Sequence, residues 1–139
     1  MTLKIVSACL AGIDCNYKGE SSPCEKVIEL VKQGKAVALC PEKLGGLPTP
    51  RPPAEQKGEK VLTDEGEDVT EEFEKGAEEV LKTAKLIKCK EAILKARSSS
   101  CGSKKIYDGT FTGTLIDGKG VTAKLLEENG IKIKNEEEI

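Results

Sequence analysis

The segment Leu3-Lys4-Ile5-Val6-Ser7-Ala8-Cys9 decides the fold, because it is a short apolar run, rich in β-branched residues, that ends at a cysteine. Such a run at the start of a domain is typical of a buried strand. The arrangement recurs twice: residues 35–39 precede Cys40, and residues 91–96 lead through a short polar stretch to Cys101. We therefore predict three buried strands, each with a cysteine at or just beyond its carboxyl end.

Helical patterns separate these strands. Ser22 and Glu25 have the spacing of a capping box at the start of a first helix, which Gly34 ends. A second helix is predicted to begin at Asp68 or Thr70. The remaining predicted elements are a Gly/Thr loop or hairpin at 107–113, a last helix at 120–129, a final strand at 131–133 and a solvated acidic tail at 135–138.

Strands that alternate with helices favour a mainly parallel sheet with helices on both faces. We predict one α/β domain spanning residues 1–139, three-layered and Rossmann-like, with about four strands. The stretch from Pro41 to about Asp68 contains Gly45-Gly46 and several prolines. We expect no helix in it. Because it is longer than an ordinary connection, it is interpreted as a stiff pocket wall.

Composition excludes several classes of function. The 22 basic and 24 acidic residues give a net charge of -2, and aromatics make up 3% of the chain, so autonomous nucleic-acid binding is disfavoured. The chain has no histidine, which removes the usual general base and the commonest metal ligand. No secretory signal and no stretch of about 20 apolar residues is present, so we expect a cytoplasmic protein without a membrane segment.

The three strand-end cysteines are the main candidates for chemistry. In an open parallel sheet the carboxyl ends of the strands meet at one edge, so Cys9, Cys40 and Cys101 should converge there. Converging thiolates without histidine favour zinc or an iron-sulfur cluster. No Cys-x-x-Cys occurs, which disfavours a zinc ribbon, a thioredoxin-type dithiol and ferredoxin-type electron transfer. A 4Fe-4S cluster held by three cysteines would leave one iron open as a Lewis acid.

Each candidate also has a structural interpretation. A cysteine that ends an apolar strand is often a core residue, and this alternative applies to Cys9, Cys40 and Cys101. Cys24, in the first turn of a predicted helix, and Cys89, in a Lys-rich connection, are interpreted as structural. Cys15 is interpreted either as a pocket residue or as a thiol that could form a disulfide with Cys9. Glu42 is a candidate acid/base or a turn cap, and Arg51 either clamps an anionic or carbonyl group or faces solvent.

Five motifs resemble one known family. They are Ser7-Ala8-Cys9-Leu10-Ala11-Gly12, Cys15-Asn16-Tyr17, the stretch from Cys40-Pro41-Glu42 to Arg51-Pro52-Pro53, Ser98-Ser99-Ser100-Cys101-Gly102 and Ile106-Tyr107-Asp108-Gly109-Thr110-Phe111. They resemble the thiouracil desulfidase family of small bacterial and archaeal iron-sulfur proteins, and the resemblance runs over nearly the whole chain. The resemblance implies a cytoplasmic enzyme that replaces the sulfur of a thiolated uracil with oxygen.

The resemblance also implies roles for single residues. Cys9, Cys40 and Cys101 would hold a 4Fe-4S cluster with one open iron, which binds the thiocarbonyl sulfur. Glu42 would help water attack the polarised carbon, and Ser98 would relay a proton or bind the oxyanion, without net electron transfer. Three further residues are predicted to bind substrate: Ser100, Arg51 and Tyr17.

The chain departs from the family pattern at Asn16, where an arginine is common, and at Ser99, where a proline is common. The expected partner is a small thiolated base, nucleoside or nucleotide rather than intact tRNA. Two alternatives stay open. One is an accessory protein that carries sulfur on a labile cluster without turning over a thiolated base. The other is a cluster-free nucleotide-binding module in which the cysteines are core residues.

Overall fold

The computed structural model describes residues 2–139 and contains eight strands and four α-helices in that range. In chain order the elements are β1 (Lys4–Ser7), a 3-10 helix (Ala8–Ala11), α1 (Glu25–Lys32), β2 (Ala36–Leu39), α2 (Pro41–Leu44), β3 (Ala54–Lys57), β4 (Lys60–Thr63), α3 (Thr70–Leu86), β5 (Glu91–Leu94), β6 (Lys105–Tyr107), β7 (Leu115–Asp117), α4 (Val121–Glu128) and β8 (Lys132–Asn135).

A four-stranded parallel sheet forms the centre of the molecule, in the order β2-β1-β5-β8. Because successive side chains of a strand point to opposite faces, Ile5 and Val6 of β1 lie on opposite sides of the sheet. Val6 packs with Val27 of α1, whereas Ile5 packs with Val80 of α3 and Leu126 of α4. The predicted three-layer α/β fold with a parallel sheet of four strands is therefore confirmed.

The segment after β2 differs from the prediction, which excluded a helix there. Residues Pro41–Leu44 form the single helical turn α2, because a proline is compatible with the first helical position. β3 and β4 then form an antiparallel hairpin in which Ala54 pairs with Thr63. The hairpin was missed because β3 is mostly polar. It is held mainly through Val61 of β4, which packs on Phe73 of α3. The later Gly/Thr loop is a second hairpin, formed by β6 and β7.

The predicted capping box of α1 is wrong. The helix begins at Glu25 with Cys24 as its N-cap residue, and no side chain caps it. The main chain before α1 pairs with the 3-10 helix instead: the Ser22 and Cys24 N–H groups donate to the Cys9 and Leu10 carbonyls, each at 2.9 Å. These bonds fix the segment that follows β1 against the start of α1.

The predicted solvated tail is also wrong in part. Asn135 belongs to β8, and the Glu136 carboxylate forms an ion pair with Lys95 at 2.9 Å and accepts the Ala96 N–H at 2.8 Å. The tail therefore holds the carboxyl end of β5. None of the helices within residues 2–139 has both the length and the apolarity needed to cross a bilayer.

Candidate functional site at the carboxyl edge of the sheet

The strand order creates a crevice between β1 and β5. From β1 the chain moves to β2 on one side, and it later returns to β5 on the other side. Ligand sites of open α/β sheets lie at such switch points, beyond the carboxyl ends of the strands. Cys9 lies in the 3-10 helix after β1, Cys40 directly follows β2, and Cys101 follows β5 after a loop.

The thiols of Cys9, Cys15 and Cys40 lie together. Cys15 is within hydrogen-bonding reach of both other thiols, and the Cys40 Sγ also donates to the Cys15 carbonyl at 3.8 Å. The Cys40 hydrogen bond lowers the pKa of Cys15, but the hydrogen bond with Cys9, burial and the Cys9 charge raise it to about 11. The same Cys40–Cys15 hydrogen bond, in which Cys40 is the donor, raises the pKa of Cys40, and burial raises it further. The Cys15 and Cys40 thiols therefore stay protonated at neutral pH in the metal-free protein.

Cys101 lies beside the same group and is buried, with 5% of its surface exposed. Burial raises the pKa of its thiol to about 12, although the neighbouring Ser7 and Ser98 side chains favour the thiolate. The charge on Glu42, and that on Cys40 when it is ionised, also raise the pKa of this thiol. The Ser98 side chain therefore contacts the Cys101 thiol, and Glu42 is near enough for its charge to affect that thiol.

Main-chain contacts hold the Cys101 segment. The Ser98 Oγ accepts the N–H groups of Ser100 and Cys101 at 3.1 and 3.0 Å. At the start of α4, the Val121 N–H donates to the Ser99 carbonyl at 3.0 Å. A Cβ on Gly120 would lie 2.3 Å from the Ser100 carbonyl carbon, so the main chain at Gly120 is in direct contact with the main chain at Ser100. The loop after β5 is therefore fixed to the N-terminus of α4.

Ser100 does not join the site through its side chain. It is 1% exposed, and its hydroxyl pairs with the Thr122 hydroxyl at 2.8 Å. The predicted substrate contact of Ser100 therefore has no support in this geometry, which gives the residue a packing role between the loop and α4.

A close helix contact positions Glu42. A Cβ on Gly45, just after α2, would lie 1.9 Å from the Glu72 carbonyl oxygen, and a Cβ on Gly76 would lie 1.9 Å from the Pro41 oxygen. The two glycines therefore allow α2 to dock directly on the main chain of α3. This contact places the α2 turn, and with it Glu42, beyond the end of β2.

Arg51 and Tyr17 were both predicted to bind substrate. The Arg51 Nε donates to the Glu42 Oε2 at 2.7 Å, and this pair is largely buried. The Tyr17 carbonyl accepts the Arg51 N–H at 2.8 Å. The residue as a whole is 41% exposed, and the Lys18 ammonium lies over its ring, 5.7 Å from the ring centroid. The structure thus joins Arg51 to the site through Glu42, whereas it ties only the main chain of Tyr17 to Arg51.

Sequence reasoning assigned no role to Ser7. Its hydroxyl accepts the Lys95 N–H at 2.9 Å and lies beside the Cys101 thiol, so it connects β1 to β5 at the crevice. The available signal was a polar residue at the end of an apolar run. Cys89 lies elsewhere, buried, with its Sγ donating to the Glu91 carbonyl at 3.2 Å. A cleft of about 760 Å³ between the two hairpins and α4 is lined by none of the predicted site residues.

The donors at the crevice are sulfur atoms. Across residues 2–139, no three His, Cys, Asp or Glu side chains are close enough together to hold a single metal ion. A polynuclear cluster places a separate iron at each thiolate, so it suits thiols arranged around a shared space. Cys9, Cys40 and Cys101 follow three neighbouring strands and are the candidates to hold such a cluster, with Cys15 as a further thiol beside Cys9 and Cys40.

Comparisons with known proteins identify the family of this chain. A family model described as 2-thiouracil desulfurase matches residues 5–138. The chain is 47% identical over 145 residues to the uncharacterized protein YbbK of Bacillus subtilis (strain 168), covering 97% of this chain and 96% of YbbK. The solved structure of the [4Fe-4S]-dependent thiouracil desulfidase TudS superposes with a TM-score of 0.96 at 45% identity, covering 100% of this chain and 93% of that one. The chain therefore belongs to the 2-thiouracil desulfurase family.

Proposed function

We propose that this protein is an iron-sulfur-dependent desulfidase that removes sulfur from a thiolated pyrimidine by hydrolysis. The observation that carries the proposal is the convergence of three strand-end thiols with Glu42 at the switch point of the sheet. Its similarity to the [4Fe-4S]-dependent TudS supports the same cofactor and substrate class here.

Cys9, Cys40 and Cys101 would hold a 4Fe-4S cluster through three irons. Such a cluster, when bound, supplies an open Lewis-acidic iron for the thiocarbonyl sulfur. The chain offers no histidine as a competing ligand, and of the three proposed ligands Cys101 is buried whereas Cys9 and Cys40 are partly exposed. Binding would displace the thiol protons, which the raised pKa values of Cys15, Cys40 and Cys101 keep in place in the metal-free protein.

Glu42 is the proposed general base. The attacking water gives up a proton to its carboxylate as the C–O bond forms, and the C–S bond then breaks. The overall change converts one thiocarbonyl group and one water into one carbonyl group and one hydrogen sulfide, so no electron donor or acceptor is needed. Removing a positioned general base typically slows such a reaction by about 10² to 10⁴-fold.

Ser98 is proposed as the donor to charge that develops during the reaction. Its oxygen already accepts two N–H groups, which hold the hydroxyl in place beside Cys101. The one O–H proton that remains can be donated to a developing negative charge, as in an oxyanion hole. The substrate is proposed to be a free base, nucleoside or nucleotide, since a net charge of -2 does not favour an RNA backbone.

The direct test is turnover of 2-thiouracil by the protein reconstituted anaerobically with iron and sulfide. We expect uracil and sulfide in equal amounts without any added reductant. The matched variant Glu42→Gln keeps the iron content and loses about 100-fold or more in kcat. A protein that takes up iron but forms no uracil would instead be a sulfur-carrying accessory protein.

A further inference from the structure

Arg51 makes an unusually complete set of contacts. Its Nε donates to the Glu42 Oε2 at 2.7 Å, and its Nη2 forms an ion-pair contact with the same oxygen. The Nη1 donates to the Pro48 carbonyl at 3.1 Å and to the Thr49 hydroxyl at 3.2 Å. The Nη2 also donates to the Cys15 carbonyl at 2.9 Å. Four hydrogen bonds and one ion-pair contact thus account for the five N–H groups of the guanidinium.

These contacts leave Arg51 no donor for a substrate. The side chain is only 6% exposed, so a ligand could reach it only after existing contacts were broken. Both contacts with Glu42 fall on Oε2, whereas Oε1 accepts no hydrogen bond from any group within residues 2–139. Arg51 therefore occupies one carboxylate oxygen of Glu42 and leaves the other free.

We infer that Arg51 is a positioning residue that fixes the Glu42 carboxylate through Oε2, so that Oε1 is the atom that accepts the proton from water. The inference rests on the proposed function of Glu42. It replaces the predicted substrate contact of Arg51 with an indirect role.

The bond to Cys15 gives Arg51 a second attachment. The Cys15 carbonyl accepts from the Arg51 Nη2 and also from the Cys40 thiol. Arg51 thereby links the main chain at Cys15 to the α2 turn, which carries Glu42. A lysine cannot reproduce this set of contacts, because its ammonium is a point charge with three donors and lacks the planar fork of a guanidinium.

The test compares Arg51→Lys with the wild type in steady-state turnover of 2-thiouracil. A positioning role predicts a fall in kcat of roughly 10- to 100-fold from misplacement of the base, with KM nearly unchanged. Arg97→Lys is the matched control, since Arg97 pairs with Glu137 in an exposed ion pair, and it should keep the wild-type kcat. A rise in KM with an unchanged kcat would show that Arg51 binds substrate and would overturn the inference.

A second measurement uses the metal-free protein and needs no activity. Cys15 is 3% exposed and Cys89 is 8% exposed, and Cys89 serves as the internal reference. Arg51→Lys should speed the alkylation of Cys15 by iodoacetamide several-fold and leave the alkylation rate of Cys89 unchanged. A loss of stability throughout the fold would instead speed the alkylation of both cysteines. An unchanged rate of Cys15 alkylation would contradict the proposed link between Arg51 and the Cys15 segment. If the wild type formed no uracil, the proposed function would fail, and the labelling result would still decide whether Arg51 holds the Cys15 segment.

Discussion

The two sides of the thiol site are held in different ways. On the Cys101 side, the loop after β5 is fixed by main-chain hydrogen bonds to α4 and by the close approach of Gly120. On the Cys15 side, a single buried charged side chain, Arg51, joins the loop to Glu42. The Cys101 side is joined to α4 through the main chain, whereas the Cys15 segment, which has main-chain hydrogen bonds of its own, is joined to Glu42 through the Arg51 guanidinium.

Because of this difference, we expect substitutions on the two sides to affect different properties of the protein. A change that displaces the Cys101 loop also disturbs α4, whose Leu126 packs in the main core. A change at Arg51 acts on Glu42 and on the Cys15 main chain. We therefore expect variants on the Cys101 side to lose folding free energy together with the site, and variants of Arg51 to lose mainly turnover.

The largest effect is expected for Gly120→Ala. The added Cβ would lie 2.3 Å from the Ser100 carbonyl carbon and 2.6 Å from the Cys101 nitrogen. Relief of this overlap should lower the free energy of unfolding by about 3 kcal/mol and reduce iron uptake. Urea denaturation measures the loss. The control Gly34→Ala has no atom within 4 Å but a φ of +70°, so it should cost about 1 kcal/mol from backbone strain alone. Equal losses in the two variants would contradict the role given to this close contact.

A smaller effect is expected for Ser98→Ala. It leaves the N–H groups of Ser100 and Cys101 without their acceptor, which should cost about 1 to 2 kcal/mol in urea denaturation. Turnover should fall as well. Ser103 offers a control in the same loop, because its buried hydroxyl forms no hydrogen bond within the described residues. Ser103→Ala should be neutral or slightly stabilising, and a matching loss there would show that the Ser98 bonds do not fix the loop.

The smallest effect is expected at the end of β5, for Glu136→Gln. Burial raises the pKa of Glu136, but the Ala96 N–H and the Lys95 ammonium outweigh it and hold the pKa below its usual range. A depressed folded pKa stabilises the protein above the unfolded value and loses that contribution as pH falls through the folded pKa. The variant should be about 1 kcal/mol less stable at pH 7, and the difference should shrink as pH falls below the ordinary pKa of a glutamate and through the depressed pKa of the folded protein. A difference that is constant from pH 7 to pH 3 would exclude this ionic contribution.

Much of the fold was accessible from the sequence. The short apolar runs that end near Cys9, Cys40 and Cys101 mark β1, β2 and β5, because buried parallel strands are continuously apolar. The predicted family and the predicted parallel α/β fold are both confirmed. Convergence of the three cysteines follows from the shared carboxyl edge of the sheet, whereas their role as cluster ligands stays a prediction.

Other features depend on contacts that no local pattern encodes. The α2 turn and the β3–β4 hairpin lie in a polar, proline-rich stretch without apolar periodicity. The partner of Arg51 depends on docking of α2 on α3, which Gly45 and Gly76 permit only once both helices are in place. Ser100 was predicted to be a pocket residue because the sequence does not show that Thr122 lies against it.

The measurement that tests the central claim most directly is iron uptake during anaerobic reconstitution, read by iron content and visible absorption, across single alanine variants of all six cysteines. We expect uptake to be lost in Cys9→Ala, Cys40→Ala and Cys101→Ala and to be kept in Cys15→Ala, Cys24→Ala and Cys89→Ala. Loss of uptake in Cys15→Ala together with normal uptake in Cys101→Ala would contradict this expectation, since the ligands would then be the three thiols on the Cys15 side.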